Sequence, residues 1–251
     1  MYDPGVKNRA PVQPIHGISK ILYLYYMITP EFYDNLTPSE AIAIQHELRE
    51  RIDLTSFPGP VRYIGGADIS FNKYETTVYA GIVVLKYPQM VVQTHASVTC
   101  TVQFPYISGL LAFREVPALL KAWEQLTLKP DILVLDGHGI AHPRRLGIAT
   151  HFGIIKDQPT IGCAKTRLTG VYQEPGNHRF DQSPLFHKQE QIGSVLRTKP
   201  NCNPVFVSPG NKVSMEQSLE IIKACCGRYR IPEPTRLAHL LVNQERVKGS
   251  L

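Results

Sequence analysis

The run Ile132-Leu133-Val134-Leu135 stops at Asp136 and gives way to Gly137-His138-Gly139-Ile140-Ala141-His142-Pro143-Arg144-Arg145. An unbroken β-branched and aliphatic run of that length reads as a strand buried on both faces. Such a strand needs helices above and below it, which points to an α/β fold. A carboxylate at its carboxyl end then lies where open α/β sheets bind their ligands. Gly137 and Gly139 let the backbone turn or approach a ligand closely, and Arg144 and Arg145 offer planar donors suited to phosphate. The same residues also fit a plain strand, turn and helix with solvated arginines, so the rest of the chain has to decide.

Residues 1 to 29 lack a core pattern: Pro4, Gly5, Pro11, Pro14 and Gly17 interrupt any period. They read as a weakly ordered arm ahead of a single domain over 30–251, with Met27 as an alternative start. Thr37-Pro38-Ser39-Glu40 is a helix start with a capping box, and Ile42, Gln45, Leu48 and Ile52 continue it at helical spacing. Val61–Phe71, Thr77–Lys86 and Met90–Val102 read as three strands joined by short turns, a meander. An amphipathic helix follows on Phe113, Val116, Leu119, Leu120 and Trp123. Next come the central strand, a helix over Arg145–Ile155 and a buried strand over Pro159–Ala164 ending at Lys165. Residues 170–190 read as loop, with a hairpin near Pro175-Gly176-Asn177. Gly193–Lys199 and Pro204–Ser208 read as strands. Ser208-Pro209-Gly210-Asn211 leads into a helix from about Ser214 to Cys226, and Pro232-Glu233-Pro234 breaks the chain before a last helix over Thr235–Arg246. Three strands, then helix, strand, helix, strand, is the order of a ribonuclease H-like fold: a mixed sheet flanked by helices.

Within that order three acids stand out. Asp68 lies among Ile64, Ala67, Ile69 and Phe71, where a lone carboxylate is costly. The alternative for it is an edge-strand residue facing water. Glu115 is four positions before Leu119, beside the apolar stripe of its helix. Asp136 ends the central strand. If the first and fourth strands pair, about 5 Å apart, Asp68 and Asp136 can share one hard cation, Mg2+ or Mn2+. Such ions activate water in phosphodiester cleavage. His239 is placed to assist proton transfer, although by itself it reads as a helix residue flanking the core, and Lys165 to stabilise developing negative charge. A zinc site from His138, His142 and His151 is the competing metal reading. Gly139 and Pro143 argue against it, because they disfavour the helix that the HxxxH spacing needs.

The chain carries a net charge of +6 over 251 residues, which favours an anionic partner, nucleic acid before anionic membrane. Five cysteines, two of them adjacent and none in a CxxC pair, give no disulfide framework and fit a reducing, cytoplasmic setting. The apolar run from Ile21 to Ile28 is too short to span a membrane and lacks the flanks of a secretory signal. Nothing in the chain requires a protein partner.

Four blocks resemble the endonuclease V family, in order and in spacing: Gly66-Ala67-Asp68-Ile69-Ser70, the stretch from Pro105 to Glu115, Asp136 to Arg145, and Pro159 to Lys165. The resemblance covers about residues 30–247. It implies a ribonuclease H-like nuclease that recognises deoxyinosine in DNA. The cut falls at the second phosphodiester 3′ to the lesion and leaves 3′-hydroxyl and 5′-phosphate ends. It further implies that Asp68 and Asp136 bind Mg2+, for which Mn2+ can substitute, that Glu115 and His239 assist, and that Lys165 contacts the reacting phosphate. Tyr106, between Pro105 and Ile107, would wedge the strands apart while the base is extruded. Gly109, Gly137, His138, His142 and Arg144 would contribute to substrate binding, the glycine-bearing loops walling the base pocket. The bacterial wedge of the family usually ends in proline where this chain has Ser108, which frees the loop tip and restores an N–H; a looser wedge with unaltered chemistry is expected. Inosine-containing RNA is the alternative substrate, and a non-catalytic nucleic-acid-binding module on the same fold is the alternative class.

Overall fold

The computed structural model describes residues 29–72 and 75–248; the expected arm, including Met27, lies outside them except for Thr29. Helices α1 (Pro30–Asp34) and α2 (Pro38–Arg49) precede strands β1 (Tyr63–Phe71), β2 (Thr77–Lys86) and β3 (Val91–Thr101). Helix α3 (Leu111–Gln125), β4 (Ile132–Leu135), α4 (Ile148–Lys156) and β5 (Thr160–Ala164) follow. The chain closes with β6 (Gln182–His187), β7 (Glu190–Leu196), β8 (Val205–Asn211), α5 (Met215–Ala224) and α6 (Glu233–Lys248). None of the described helices is long and apolar enough to cross a membrane.

The eight strands form one sheet in the order β3-β2-β1-β4-β5-β8-β7-β6. β1, β4 and β5 are parallel, and the remaining pairings are antiparallel. This is the ribonuclease H-like arrangement that the element order predicts, extended by a three-stranded antiparallel wing. β4 and β5 are buried along their whole length, as helices on both faces require. One face packs on α1 to α4 through residues such as Phe113, Trp123, Leu133, Leu135 and Phe152. The other packs on α5 and α6 through Val134, Ile161, Val207, Ile222 and Ala238.

Several expectations need correction. Residues 182–187, read as loop, form edge strand β6. Its inward positions alternate but include Ser183 as well as Leu185, so the apolar signal is faint, and Pro184 is tolerated because the strand is an edge. The hairpin turn forms at Lys188-Gln189 and not at Pro175–Asn177. Strand β8 runs on past Ser208 to Asn211, with a register shift beside Thr160 and Ile161 that absorbs Pro209 and Gly210; the helix expected from Ser214 follows as α5, capped by Ser214. Helix α4 starts at Ile148, since Arg145 takes a left-handed conformation (φ 62°). Glu233 and Pro234 belong to the first turn of α6, where proline costs no hydrogen bond. In α2 the capping box of Thr37 and Glu40 forms, yet Ile42 is exposed and the inward face is Ala41, Ile44, Gln45 and Leu48.

Candidate active site

Parallel pairing of β1 with β4 sets Ala67 opposite Leu135. Asp68 and Asp136, each one residue further on, therefore emerge side by side, and the Asp136 N–H donates to the Ala67 carbonyl at 3.0 Å. Asp68 lies in an interior strand and is 6 % exposed, so the water-facing alternative does not hold. Helix α6 crosses β1 closely enough that a Cβ on Gly66 would come within 1.9 Å of the Pro234 carbonyl oxygen. That approach carries His239 over Asp68, with Nδ1 at 2.7 Å from Asp68 Oδ2. One turn along, the Asn243 amide donates to His239 Nε2 at 2.9 Å. Nδ1 then holds the proton and donates it to Asp68, whose Oδ1 accepts from the Ile69 N–H at 2.8 Å. Lys165, at the end of β5, pairs with Asp136 Oδ2.

Burial first, and then the charge of Asp136, raises the Asp68 carboxyl to about 6 against the pull of His239 and Lys165. Glu115, in the second turn of α3, is raised to about 8 by burial and then by Asp68 and Asp136. Three acids crowded in a dry setting repel one another, and a divalent cation relieves that cost. Ligand atoms of Asp68, Asp136 and His239 lie within 4.8 Å of one another, the one such group among the described residues. Two carboxylates suit a hard cation such as Mg2+ or Mn2+, and His239, bonded to Asp68 and Asn243, stands beside them, so the residues fit the expected metal. Glu115 is outside that group of three but close enough to feel both aspartates.

A cavity of about 250 Å3 opens beside the acids, and Glu115 and Asp136 line both. Its wall includes the predicted Gly109, Gly137, His138 and His142, together with Ser108. It also includes residues that sequence reasoning missed: Leu111, Ala112, Leu146 and Ile148 as an apolar wall, and Thr166, Arg167 and Leu168 after β5. His138 Nε2 bonds the Thr166 carbonyl at 3.0 Å. His142 Nε2 donates to the Gly109 carbonyl at 3.0 Å while its Nδ1 accepts the Arg144 N–H at 3.2 Å. Burial lowers both imidazoles to about 4, so they are neutral at pH 7. His151 bonds the Tyr33 hydroxyl at 3.3 Å instead. The three imidazoles make separate bonds and do not form the zinc trio.

The two arginines do not extend as free phosphate donors. Arg144 spends Nη2 on the Gly109 carbonyl, at 2.8 Å, and Nε on Gln45. Arg145 pairs with Glu190 and with the His142 carbonyl. Gln45, fully buried on α2, was missed. It donates to the Gly109 carbonyl at 3.0 Å and accepts from Arg144. Three side chains thus clamp one carbonyl at Gly109, whose φ of 79° suits glycine. The signal was present in the sequence: a glutamine in an apolar helical stripe has to find buried partners. Beyond the clamp, Tyr106 is 46 % exposed and its ring lies 6.0 Å from that of Phe71. Pro105 is exposed, and Ile107 is half-buried against the core.

Comparison with known proteins identifies the family. The profile of the family described as Endonuclease V matches residues 46–240. Endonuclease V of Dictyoglomus thermophilum is 44 % identical over 224 residues, covering 88 % of this chain and 97 % of that one. The crystal structure of endonuclease V from Streptomyces avermitilis superposes with a TM-score of 0.81 at 38 % identity, covering 87 % of this chain and 96 % of that one. Endonuclease V of Ciona intestinalis, crystallised with a 24mer DNA containing an inosine followed by a ribo-adenosine, gives 0.73 at 28 % identity, covering 84 % of this chain and 98 % of that one. On the family match, the relatives and the shared fold, the chain belongs to the endonuclease V family.

Proposed function

We propose that this protein is a repair endonuclease that recognises deoxyinosine and hydrolyses the second phosphodiester 3′ to it, leaving 3′-hydroxyl and 5′-phosphate ends. One observation carries the reading: Asp136 belongs both to the acid cluster and to the wall of a cavity of about 250 Å3. A base turned out of the stack into that cavity would leave the strand on its 3′ side running past the acids, where the second phosphodiester comes within reach. The binding of an inosine-bearing DNA by the Ciona relative supports the substrate, and residues 30–251 would act as one nuclease domain in the cytoplasm.

Asp68 and Asp136, with His239 beside them, would hold Mg2+ or Mn2+; that ion would polarise the phosphate and make a bound water acidic. Asp68 fixes the proton of His239 on Nδ1. This leaves Nε2, held by Asn243, as the basic edge that would take a proton from water once Asn243 yields. Lys165 places its charge next to Asp136, where negative charge on the phosphate grows. Glu115, raised by burial and by its acid neighbours, would regain its charge with the cation and complete the acidic floor. Tyr106, at the tip of the Phe104–Leu110 loop, would fill the gap left by the extruded base, with Pro105 and Ile107 setting its angle. Gly109, Gly137, His138 and His142 would frame the base, and Arg144 would hold the frame.

The test is cleavage of a labelled duplex containing one deoxyinosine, with Mg2+ or EDTA, by wild type and Asp136→Ala. The expected result is a Mg2+-dependent cut one nucleotide beyond the lesion on its 3′ side, reduced at least about 100-fold in the variant. Tight binding without a cut would replace this reading with the binding module. Inosine-containing RNA is a second reading, favoured by the ribo-adenosine that follows inosine in the Ciona complex. A ribose strand cut faster than its deoxyribose counterpart would favour it, since the 2′-hydroxyl tells the two apart.

A further inference from the structure

Beyond Lys165 lies a second groove of about 580 Å3, which the reading above does not use. Lys165, Thr166 and Arg167 form one rim, and Thr166 and Arg167 also line the cavity beside Asp136. The two recesses therefore adjoin along Thr166 and Arg167, and Lys165, paired with Asp136, ties the second one to the acids. The far wall of the groove is aromatic. Tyr172 stands edge-on to Phe206, with ring centroids 5.5 Å apart. The Arg167 guanidinium lies over the Tyr172 ring at 5.6 Å and is tied at the same time to the Gly170 carbonyl at 3.2 Å. Phe206 is buried, Tyr172 half-buried and Arg167 exposed. The stack is thus anchored in the core and ends in a planar cation that faces solvent. Glu174 also lines the groove, but its carboxylate is bound by Arg197 at 2.7 Å, so Lys165 and Arg167 set the sign of the charge.

We propose that this groove binds the nucleotide on the far side of the scissile phosphate from the inosine, its base stacked on the Arg167–Tyr172 platform. The assignment rests on the nuclease reading and deepens it. A strand with inosine in the first cavity and its reacting phosphate at Asp136 and Lys165 has to leave past Lys165, into this groove. Guanidinium and aromatic faces stack on any base, and an adjacent lysine suits the backbone. The groove would therefore contribute affinity without sequence preference, and it gives the enzyme a hold on the product strand that bears the new 5′-phosphate.

The experiment pairs a protein change with a substrate change. Wild type and Tyr172→Leu are assayed on two deoxyinosine strands, one intact and one with an abasic residue just beyond the scissile phosphate. The expected result is that removal of the base raises the KM of wild type roughly tenfold, with kcat at saturation little altered. Tyr172→Leu should show the raised KM on the intact strand and little further change on the abasic one, and Tyr172→Phe should restore the wild-type pattern. Equal abasic penalties in wild type and Tyr172→Leu would overturn the groove assignment alone. Failure of wild type to cut the intact strand in both its deoxyribose and its ribose form would overturn the nuclease reading, and the groove assignment with it.

Discussion

At the residue scale, Gln45 and Glu115 show the same physics with opposite outcomes. Gln45 is a buried amide whose oxygen and nitrogen both find partners, on Arg144 and on the Gly109 and Leu146 carbonyls. A buried polar group that is fully paired fixes geometry at little cost, whereas removing one member leaves the others orphaned. Gln45→Leu should therefore lower stability by about 1–3 kcal/mol, read by urea melts. It should also weaken binding of a deoxyinosine duplex more than it slows cleavage at saturation, because the clamp holds the pocket and not the acids. A variant with unchanged melting and affinity would mean that Arg144 and His142 suffice. Glu115 lacks such partners; burial first, and then the charges of Asp68 and Asp136, make it favour its proton.

At the scale of elements, the site depends on how closely α6 approaches β1. His239 reaches Asp68 only because Gly66 has no side chain to hold Pro234 away. Gly66→Ala has to push the helix start outward, since the obstacle is a backbone carbonyl and not a flexible side chain. The expected cost is about 1–3 kcal/mol, typical of overpacking, accompanied by loss of cleavage as His239 leaves Asp68. Urea melts and the deoxyinosine assay check both; wild-type values for each would show that α6 slides without consequence. The loop from Phe104 to Leu110 is the counterpart on the other side of the cavity. Its far end is fixed at Gly109 by the Gln45, His142 and Arg144 clamp, while Ser108 and Tyr106 remain exposed.

For the molecule as a whole, pH acts through histidines that fold into dry surroundings. Burial lowers His151 to about 3 and both His138 and His142 to about 4. An unfolded histidine titrates near 6.5. Between that value and the folded one, the unfolded chain binds a proton that the folded chain refuses, so these groups make stability fall as pH drops from 7. Metal-free Asp68 and Glu115 act in the opposite sense, because their folded values are raised and acid relieves them. The comparison that isolates a histidine is wild type against His151→Gln. Between pH 7 and 5 the wild type should lose about 2 kcal/mol more than the variant. Urea melts at both pH values measure the difference, and equal losses would show that His151 takes up its proton in the folded state.

By itself, the sequence determined the strand–helix order as far as β5 and the ribonuclease H-like class, and it singled out the carboxylates Asp68, Glu115 and Asp136. Each rests on a local pattern: an apolar run, a helical stripe, an acid stranded among aliphatic residues. It left open whether Asp68 faced water, whether His239 merely flanked the core and whether three histidines bound zinc, because each depends on which strands and helices become neighbours. Pairing of β1 with β4 joined the two aspartates, and the close crossing at Gly66 brought in His239 from 171 positions away. The wing strand β6 was hidden because half of its inward face is polar and it is an edge. The arginines that read as phosphate donors became supports, for a guanidinium binds whichever acceptors folding sets before it. Gln45, Arg167 and Tyr172 gained roles only in three dimensions, where Gln45 met the carbonyl of Gly109 and Arg167 came to lie over Tyr172.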